Sequence, residues 1–569
     1  MQGIAASPGI AIGKSLIKKD KNVEIDRNTI SDEQIENEIN KLHSALAKAK
    51  QSLKELKEST AAKLGEEKAE IFEAHMMILE DPEVVPAFEK KIKNEKINAA
   101  AAVKDVIDKY VAMFSAMEDD YLRERGADIR DVGMRVIKIL LDVENITDKM
   151  EEDVVVIAKD LTPSDTAQLD TDKVLAFVTE EGSRTSHTAI MARSLGIPAV
   201  VGVGDDLLKE ANDNSQVIVD GNNGRVYFSP SVATLDEYQE KLKEYNKEQK
   251  RLEYYKDKKA ETKDGKEIEL VGNMGNLNDI KPILNKGGEG VGLFRTEFLY
   301  MDRNELPTEE EQFEVYKEVA KRFEEKPVVI RTLDIGGDKD LPYLNFPEEM
   351  NPFLGYRAIR FSLEREEIFK PQLRAILRAS KFGNLKIMFP MISSLDELRK
   401  AKDKVNTIKT ELEAEGIEYN KEIEIGIMIE IPAAVMIADH LAQEVDFFSI
   451  GTNDLIQYTI AVDRTNEKIA ERHTPYHPAV LRLIKKTIDY GHAQDIWVGM
   501  CGEAAGDELL LPFLLGVELD EFSMSAVSIL KIKELMSKWN KVEAQEVAQK
   551  VLNLKTAGEV KSYLKDIKK

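Results

Sequence analysis

Between residues 267 and 524 the sequence repeats one pattern eight times, a short apolar run followed by a polar or helical stretch. The runs are EIELVGNM, GVGLFRTE, PVVIRTLD, LKIMFPMI, EIGIMIEI, DFFSIGTND, DIWVGMCGE and ELDEFSM. Segments of helical periodicity, such as DELRKAKDKVNTIKTELEAEG and AVLRLIKKTIDYGH, separate most of them. Near-continuous apolar strands alternating with helices read as a parallel sheet covered on its faces. Eight such units predict a C-terminal (β/α)8 TIM barrel over residues 261–569, with a doubly wound sheet as the competing arrangement.

The chain has 569 residues, too many for one core, and the remainder differs in texture. Residues 1–20 are rich in Gly and Ala with alternating apolar positions, which predicts a strand that pairs with something later. Residues 153–228 hold the β-type runs DVVVIAK, KVLAFVT, QVIVDG and RVYFS around one helix, TSHTAIMARSLG. Segments 1–20 and 146–230 are therefore expected to form one small α/β domain. Residues 21–145, which lack strand signals, form a helical block inserted into it. In IFEAHMMILEDPE, Ile71, Ala74, His75 and Ile78 share a helix face before Pro82 stops the helix. Over 231–260, Leu235, Tyr238, Leu242, Tyr245, Leu252 and Tyr255 recur at spacings of three and four or their sum, seven. They predict one long exposed helix that reads as a connecting rod, with a short dimerising coiled coil as the alternative. The whole reads as a multidomain α/β protein.

A net charge of -24 disfavours nucleic acid and anionic membrane surfaces and suits a basic protein partner. A single cysteine, Cys501, excludes an internal disulfide framework and fits a reducing cytoplasm. MQGIAASPGIAIG has no basic region followed by an apolar one, so it is not a signal peptide. No apolar run approaches the ~20 residues that a membrane helix requires.

Barrel enzymes carry their chemistry at the C-terminal ends of the strands. The run ends here supply Arg295 and Glu297, Arg331 and Asp334, Glu430, Asn453 and Asp454, and Cys501 and Glu503. Taken singly, an Arg or Asp at a strand end reads as a surface ion pair, and Cys501 as a small core residue. Their convergence on one rim favours function, because clustered charges must be paired or hydrated. Arg295, Arg331 and Arg464 suit a substrate carrying both carboxylate and phosphate. Glu430 and Asp454, oxygen donors without Cys or His beside them, suit Mg2+ rather than zinc. In EGSRTSHTAIMARSLG, Thr185 or Ser186 can cap a helix whose first turn holds His187. That position keeps an imidazole nitrogen unprotonated and would stabilise a phosphoryl group attached to it. Position alone leaves a capping or packing role open.

At these residues the sequence resembles a known family. GSRTSHTAIMARSLGIPAVVG resembles the phosphohistidine segment of the phosphoenolpyruvate-utilising enzymes, and DFFSIGTNDLIQY resembles their barrel signature. VGLFRTEFLYMDR, RTLDIGGDK, NPFLGYRAIRFSL and VGMCGEAAGD extend the similarity. It is greatest to the Enzyme I family of the bacterial sugar phosphotransferase system and runs essentially from end to end. The resemblance implies a transferase that moves phosphate from phosphoenolpyruvate to Nε2 of His187, then to a histidine of the carrier HPr, releasing pyruvate. It implies that Thr166, in DLTPSDTAQL, orients His187. It gives phosphoenolpyruvate binding to Arg295, Arg331, Asn453, Asp454 and Arg464, with Arg357 in addition. Glu430 and Asp454 would hold Mg2+, and Cys501 would protonate the enolate. Ser183 departs from the Gly or Ala usual in the family.

The same resemblance makes the helical block the HPr-docking domain, with His75 among its candidate contacts; the acidic Glu66, Glu67, Asp81 and Glu83 fit a basic partner, against the plainer reading of a solvated charged face. It further implies a cytoplasmic homodimer joined through the barrel, with no nucleic acid partner and no membrane insertion. Because His187 and the rim fall in different domains, the α/β domain is expected to swing between barrel and helical block. Pyruvate phosphate dikinase and phosphoenolpyruvate synthase share these segments but need a large ATP-binding module. Here about 120 helical residues without a Gly-rich loop occupy that space. A nitrogen-branch paralogue would carry an N-terminal sensory domain. An inactive carrier-docking regulator would have no need of His187, Glu430, Asp454 and Cys501.

Overall fold

The structure is a computed structural model that describes residues 1–18, 25–64, 66–81, 83–115, 120–142, 152–161, 165–166, 169–183, 186–301, 303, 305–336, 341–344, 346–347, 349–466 and 468–569. For residues 59, 61–64, 66–71, 115, 120–125, 127, 172, 187, 190 and 194 it describes the backbone alone. The chain divides into two compact units, Met1–Glu248 and Gln249–Lys569. Among the described residues no helix is long and apolar enough to cross a membrane.

The first unit is built on a seven-stranded sheet. Its strands are β1 (Ile4–Ser7), β2 (Ile10–Ile17), β3 (Val154–Ala158), β4 (Val174–Thr179), β5 (Ala199–Val201), β6 (Gln216–Asp220) and β7 (Arg225–Phe228), in the order β1-β5-β4-β3-β2-β6-β7. The opening segment is two strands rather than the single one expected. Pro8 lacks an amide donor, and Gly9 takes a φ of 129°, a conformation that side-chain-bearing residues rarely adopt. The chain breaks there, so β1 pairs antiparallel with β5 while β2 pairs parallel with β3 and antiparallel with β6. Alternate residues of β3 face opposite cores. Val154, Val156 and Ala158 pack with Phe177 and Val201, while Val155 and Ile157 pack with Ala176 and Val200. Burial on both faces explains why VVVIA is apolar throughout.

Among the described residues, five helices lie between β2 and β3: α1 (Asp32–Leu64), α2 (Glu66–Glu80), α3 (Val84–Glu95), α4 (Ala99–Ser115) and α5 (Asp120–Leu140). They enclose a separate core that includes Leu42, Leu53, Phe72, Phe88, Ile92 and Val103. The buried stripe of α2 is Phe72, His75 and Leu79, whereas Ala74 and Ile78 are half-buried. His75 is common to both faces, Phe72 and Leu79 take the other buried places, and the Ile71 side chain lies outside the described residues. Helix α2 ends at Glu80, ahead of Pro82, which lies outside the described residues.

The long helix runs from Val232 to Glu253, so Tyr255 falls beyond it. Tyr238 is buried, donates its hydroxyl to Asp220 at 3.0 Å and packs on Tyr227, anchoring the start of the helix to the sheet. Leu242 and Tyr245 are half-buried.

The second unit is the closed eight-stranded parallel barrel expected. Its strands are β8 (Glu269–Met274), β9 (Val291–Arg295), β10 (Val328–Arg331), β11 (Leu385–Phe389), β12 (Ile425–Ile429), β13 (Phe447–Ile450), β14 (Trp497–Met500) and β15 (Glu521–Met524). Each falls within one of the eight apolar runs. Leu293, Val329, Met388, Met428 and Phe447 fill the barrel axis together with Cys501. Several of its helices start where a capping residue stands. Thr308 and Glu311 form a reciprocal capping box for Glu309–Phe323, and Ser394 with Glu397 does the same for Leu395–Glu415.

Candidate active site

The C-terminal rim of the barrel carries a chain of alternating charge. Strands β9 and β10 end on Arg295 and Arg331, which are register partners. The buried Arg331 guanidinium is paired with Glu297 and, at 2.9 Å, with Asp334. Asp334 takes its second pairing from buried Arg357 at 2.8 Å. Arg357 lies 3.7 Å from Asp454, and Asp454 is paired with Arg464 at 3.2 Å. Burial alone would lower the Arg331 and Arg357 pKa values. The adjoining carboxylates outweigh it and raise both, so these guanidinium groups keep their charge at any working pH. The Arg295 guanidinium is half-buried and has no partner among the described residues.

Glu430, the residue after β12, is fully buried and accepts the Met391 amide at 2.6 Å. Burial, and then the charges of Asp454 and Asp334, hold its carboxyl well above the ordinary range against the opposing pull of Arg331 and Arg357. A carboxyl pair so placed favours an added cation. The donor set, two hard oxygen ligands with no His or Cys, matches Mg2+ completed by substrate and water. Among the described residues no three His, Cys, Asp or Glu side chains converge into a complete protein cage.

Asn453 and Asp454 lie in the first turn of helix Thr452–Ile460, directly after β13. The Asn453 side-chain oxygen accepts the Glu503 amide at 3.3 Å, and its main-chain oxygen is 2.9 Å from Nε2 of His473. Cys501 follows β14 and is buried among the axial residues. Burial pushes its thiol up to about 11, against the smaller opposing effects of Ser449 and Arg331. The Cys501 amide donates to the Ile450 carbonyl at 3.1 Å. Three non-glycine residues at this rim hold left-handed backbone, Ala358 (φ 53°), Met391 (φ 57°) and Ala461 (φ 52°). Such conformations persist only where surrounding structure imposes them, and they cluster at functional sites.

The structure thus assembles Arg331, Arg357, Glu430, Asp454 and Arg464 into one electrostatic network, with Arg295 in register beside Arg331. Asn453 and Cys501 stand at the ends of neighbouring strands β13 and β14. Sequence reasoning missed Tyr458, which accepts from Arg357 at 3.3 Å and donates to the Phe353 carbonyl at 2.6 Å. Its position four residues after Asp454, hence on the same helix face, is the signal that could have found it. Met391 and His473 give no comparable signal.

In the other unit, His187 is the first residue of helix His187–Leu195, which Gly196 closes in left-handed conformation. Its side chain lies outside the described residues, as do Arg184 and Thr185. Ser186 occupies the N-cap position but does not cap, because its hydroxyl donates to the Ser183 carbonyl at 2.9 Å. Thr166 is buried.

Of the expected docking residues, the Glu66 and Glu67 side chains lie outside the described residues. Asp81 accepts the amides of Glu83 (2.8 Å) and Val84 (3.2 Å) at the start of α3, and Glu83 is exposed. His75 differs from the expectation of a surface contact. Its ring is fully enclosed, 3.3 Å from Asp128 and 3.8 Å from Asp131, with Phe72 edge-on. Two carboxylates make that burial tolerable, so His75 packs the block's interior.

Comparisons with known proteins agree with this picture. Residues 2–125 match the family described as PEP-utilising enzyme, N-terminal. Residues 150–224 match its mobile domain and 249–541 its PEP-binding domain. The phosphoenolpyruvate-protein phosphotransferase of Staphylococcus carnosus is 49% identical over 570 residues, covering 100% of this chain and 99% of the relative. That of Bacillus subtilis is 50% identical over 571 residues, with the same coverage of 100% and 99%. An NMR structure of an Enzyme I protein, 45% identical, covers 43% of this chain and 99% of its own, with a TM-score of 0.38. The chain belongs to the phosphoenolpyruvate-utilising enzymes, in the group of phosphoenolpyruvate-protein phosphotransferases.

Proposed function

We propose that this chain transfers the phosphoryl group of phosphoenolpyruvate to His187 and then to a histidine of HPr, the first general step of phosphotransferase sugar uptake. The observation that carries the reading is the alternating chain Glu297–Arg331–Asp334–Arg357–Asp454–Arg464 around the barrel mouth. Its acids hold the guanidinium groups in place and charged before substrate arrives, so little reorganisation is needed on binding. Arg295, Arg331, Asn453 and Arg464, with Arg357, bind the phosphate and carboxylate. Glu430 and Asp454 hold Mg2+, which offsets substrate charge when bound.

Nε2 of His187 attacks phosphorus in line. The N–P bond forms as the bond from phosphorus to the enol oxygen breaks, leaving the enolate of pyruvate. Cys501 then gives its thiol proton to C3 of that enolate, and the thiolate is reprotonated from solvent. A thiol raised by burial is fully protonated at neutral pH, as an acid in this role must be. Thr166 orients His187.

Residues 1–20 and 146–230 form the phosphohistidine domain in this reading, and 21–145 the HPr-binding domain. Residues 231–260 are the linker, and 261–569 bind phosphoenolpyruvate and dimerise, in a cytoplasmic homodimer. His187 and the rim belong to different units, so the phosphohistidine domain must reach the barrel and then return to the carrier. Labelled phosphoenolpyruvate should mark wild-type protein and leave His187→Ala unlabelled. Label in the variant, or none in wild type, would sink the reading.

A further inference from the structure

Cys501 stands one residue past the end of β14, where ladder pairing no longer fixes its carbonyl. Its N–H is held by Ile450 of β13. Its carbonyl is held from the other direction by a side chain, Nδ2 of Asn273, at 3.0 Å. Asn273 lies on β8, which is separated from β14 by β15 in the closed barrel. On that intervening strand Ser523, wholly buried, donates its hydroxyl to Oδ1 of Asn273 at 2.6 Å. With the oxygen so engaged, the amide can only present its N–H2 to Cys501. Space for the serine comes from β9, where a side chain at Gly292 would approach Ser523 to 2.6 Å. Five consecutive strands, β13, β14, β15, β8 and β9, therefore contribute to fixing the backbone at Cys501.

We infer that Asn273 is a positioning residue for Cys501, with Ser523 fixing the amide's rotamer. The inference rests on the reading of Cys501 as proton donor to the enolate. Proton delivery to carbon depends steeply on distance and direction, and a misplacement of about 1 Å can lower a rate roughly 100-fold. A Cys501 peptide free to turn would carry Sγ away from C3. The enolate would then take its proton from water, on either face.

The test uses the full-length protein and phosphoenolpyruvate stereospecifically labelled at C3 with tritium, in heavy water. Chirality of the pyruvate methyl group reports the face of protonation, and in parallel, with phosphoenolpyruvate radiolabelled in its phosphate, single-turnover label on His187 reports phosphoryl transfer. Asn273→Asp keeps the acceptor for Ser523 but loses the donor to Cys501, and Asn273→Ala removes both. Both variants should phosphorylate His187 within about threefold of wild type, while methyl chirality falls to near zero. Pyruvate formation should slow by roughly 10–100-fold. Ser523→Ala should lie between them and wild type. Wild-type chirality in both Asn273 variants, alongside loss of chirality in Cys501→Ala, overturns the positioning role alone. Undiminished chirality in Cys501→Ala overturns the proton-donor reading, and the positioning role with it.

Discussion

Burial, ahead of any neighbouring charge, sets the state of the Cys501 thiol. With its pKa near 11, only about 0.1% is thiolate at pH 8. Because this is the sole cysteine, alkylation reports on it without ambiguity. Iodoacetamide should modify the native protein at least about 100-fold more slowly than free cysteine at pH 8, with the rate climbing towards pH 10. Rapid labelling at pH 7 would contradict the buried-acid description. At this scale the sequence is legible where a rim residue ends a recognisable run, as Arg295, Arg331, Glu430 and Cys501 do. It is opaque where the contribution comes from tertiary folding. Nothing around Met391 announces that its left-handed backbone will aim an amide at Glu430, and nothing around Asn273 announces a bond to a carbonyl 228 positions away. Ser186 fails for a local reason, since Ser183 offers its hydroxyl a competing acceptor.

Elements are legible in proportion to the length of their pattern. The eight barrel strands follow from apolar runs set among helical ones, but β5, three residues long, has too short a signal. At SPG the alternation continues while the backbone does not, so β1 and β2 read as one strand. At the far end of the barrel, His492 ends helix Pro478–His492, where the helix field favours a cation. Its Nε2 is 2.7 Å from Asp520, which also accepts the amide of Val498 at the start of β14. The bond to Asp520 raises the His492 pKa, outweighing partial burial. The resulting stabilisation is fully present below the unfolded value and is lost as pH rises through the folded one. His492→Gln should therefore lower thermal stability at pH 6, by up to about 1 kcal/mol given the partial exposure, and much less at pH 9. Equal losses at both pH values would show that the pair acts through packing rather than charge.

On the scale of the whole chain, the two units own separate cores, one around the barrel and others around the sheet and the helical block. Separate cores predict separate cooperative transitions in calorimetry. Phosphoenolpyruvate with Mg2+ at 100 times Kd should raise only the transition of Gln249–Lys569, by a stabilisation of about 2.7 kcal/mol. A single transition that shifts as a whole would show the units to be thermodynamically fused. The helical block has a further consequence, which follows from where it is tied. Strands β2 and β3 are adjacent and parallel, and such a pair always needs a crossover to carry the chain back to the starting edge. The helical block is that crossover, enlarged into a body with its own interior. The sheet demands only that the chain leaving Ile17 return to Val154, and is indifferent to what is built on the way. The block proposed to dock HPr is therefore an exchangeable cassette, able to diverge or be replaced while the strand register beneath His187 stays as it is.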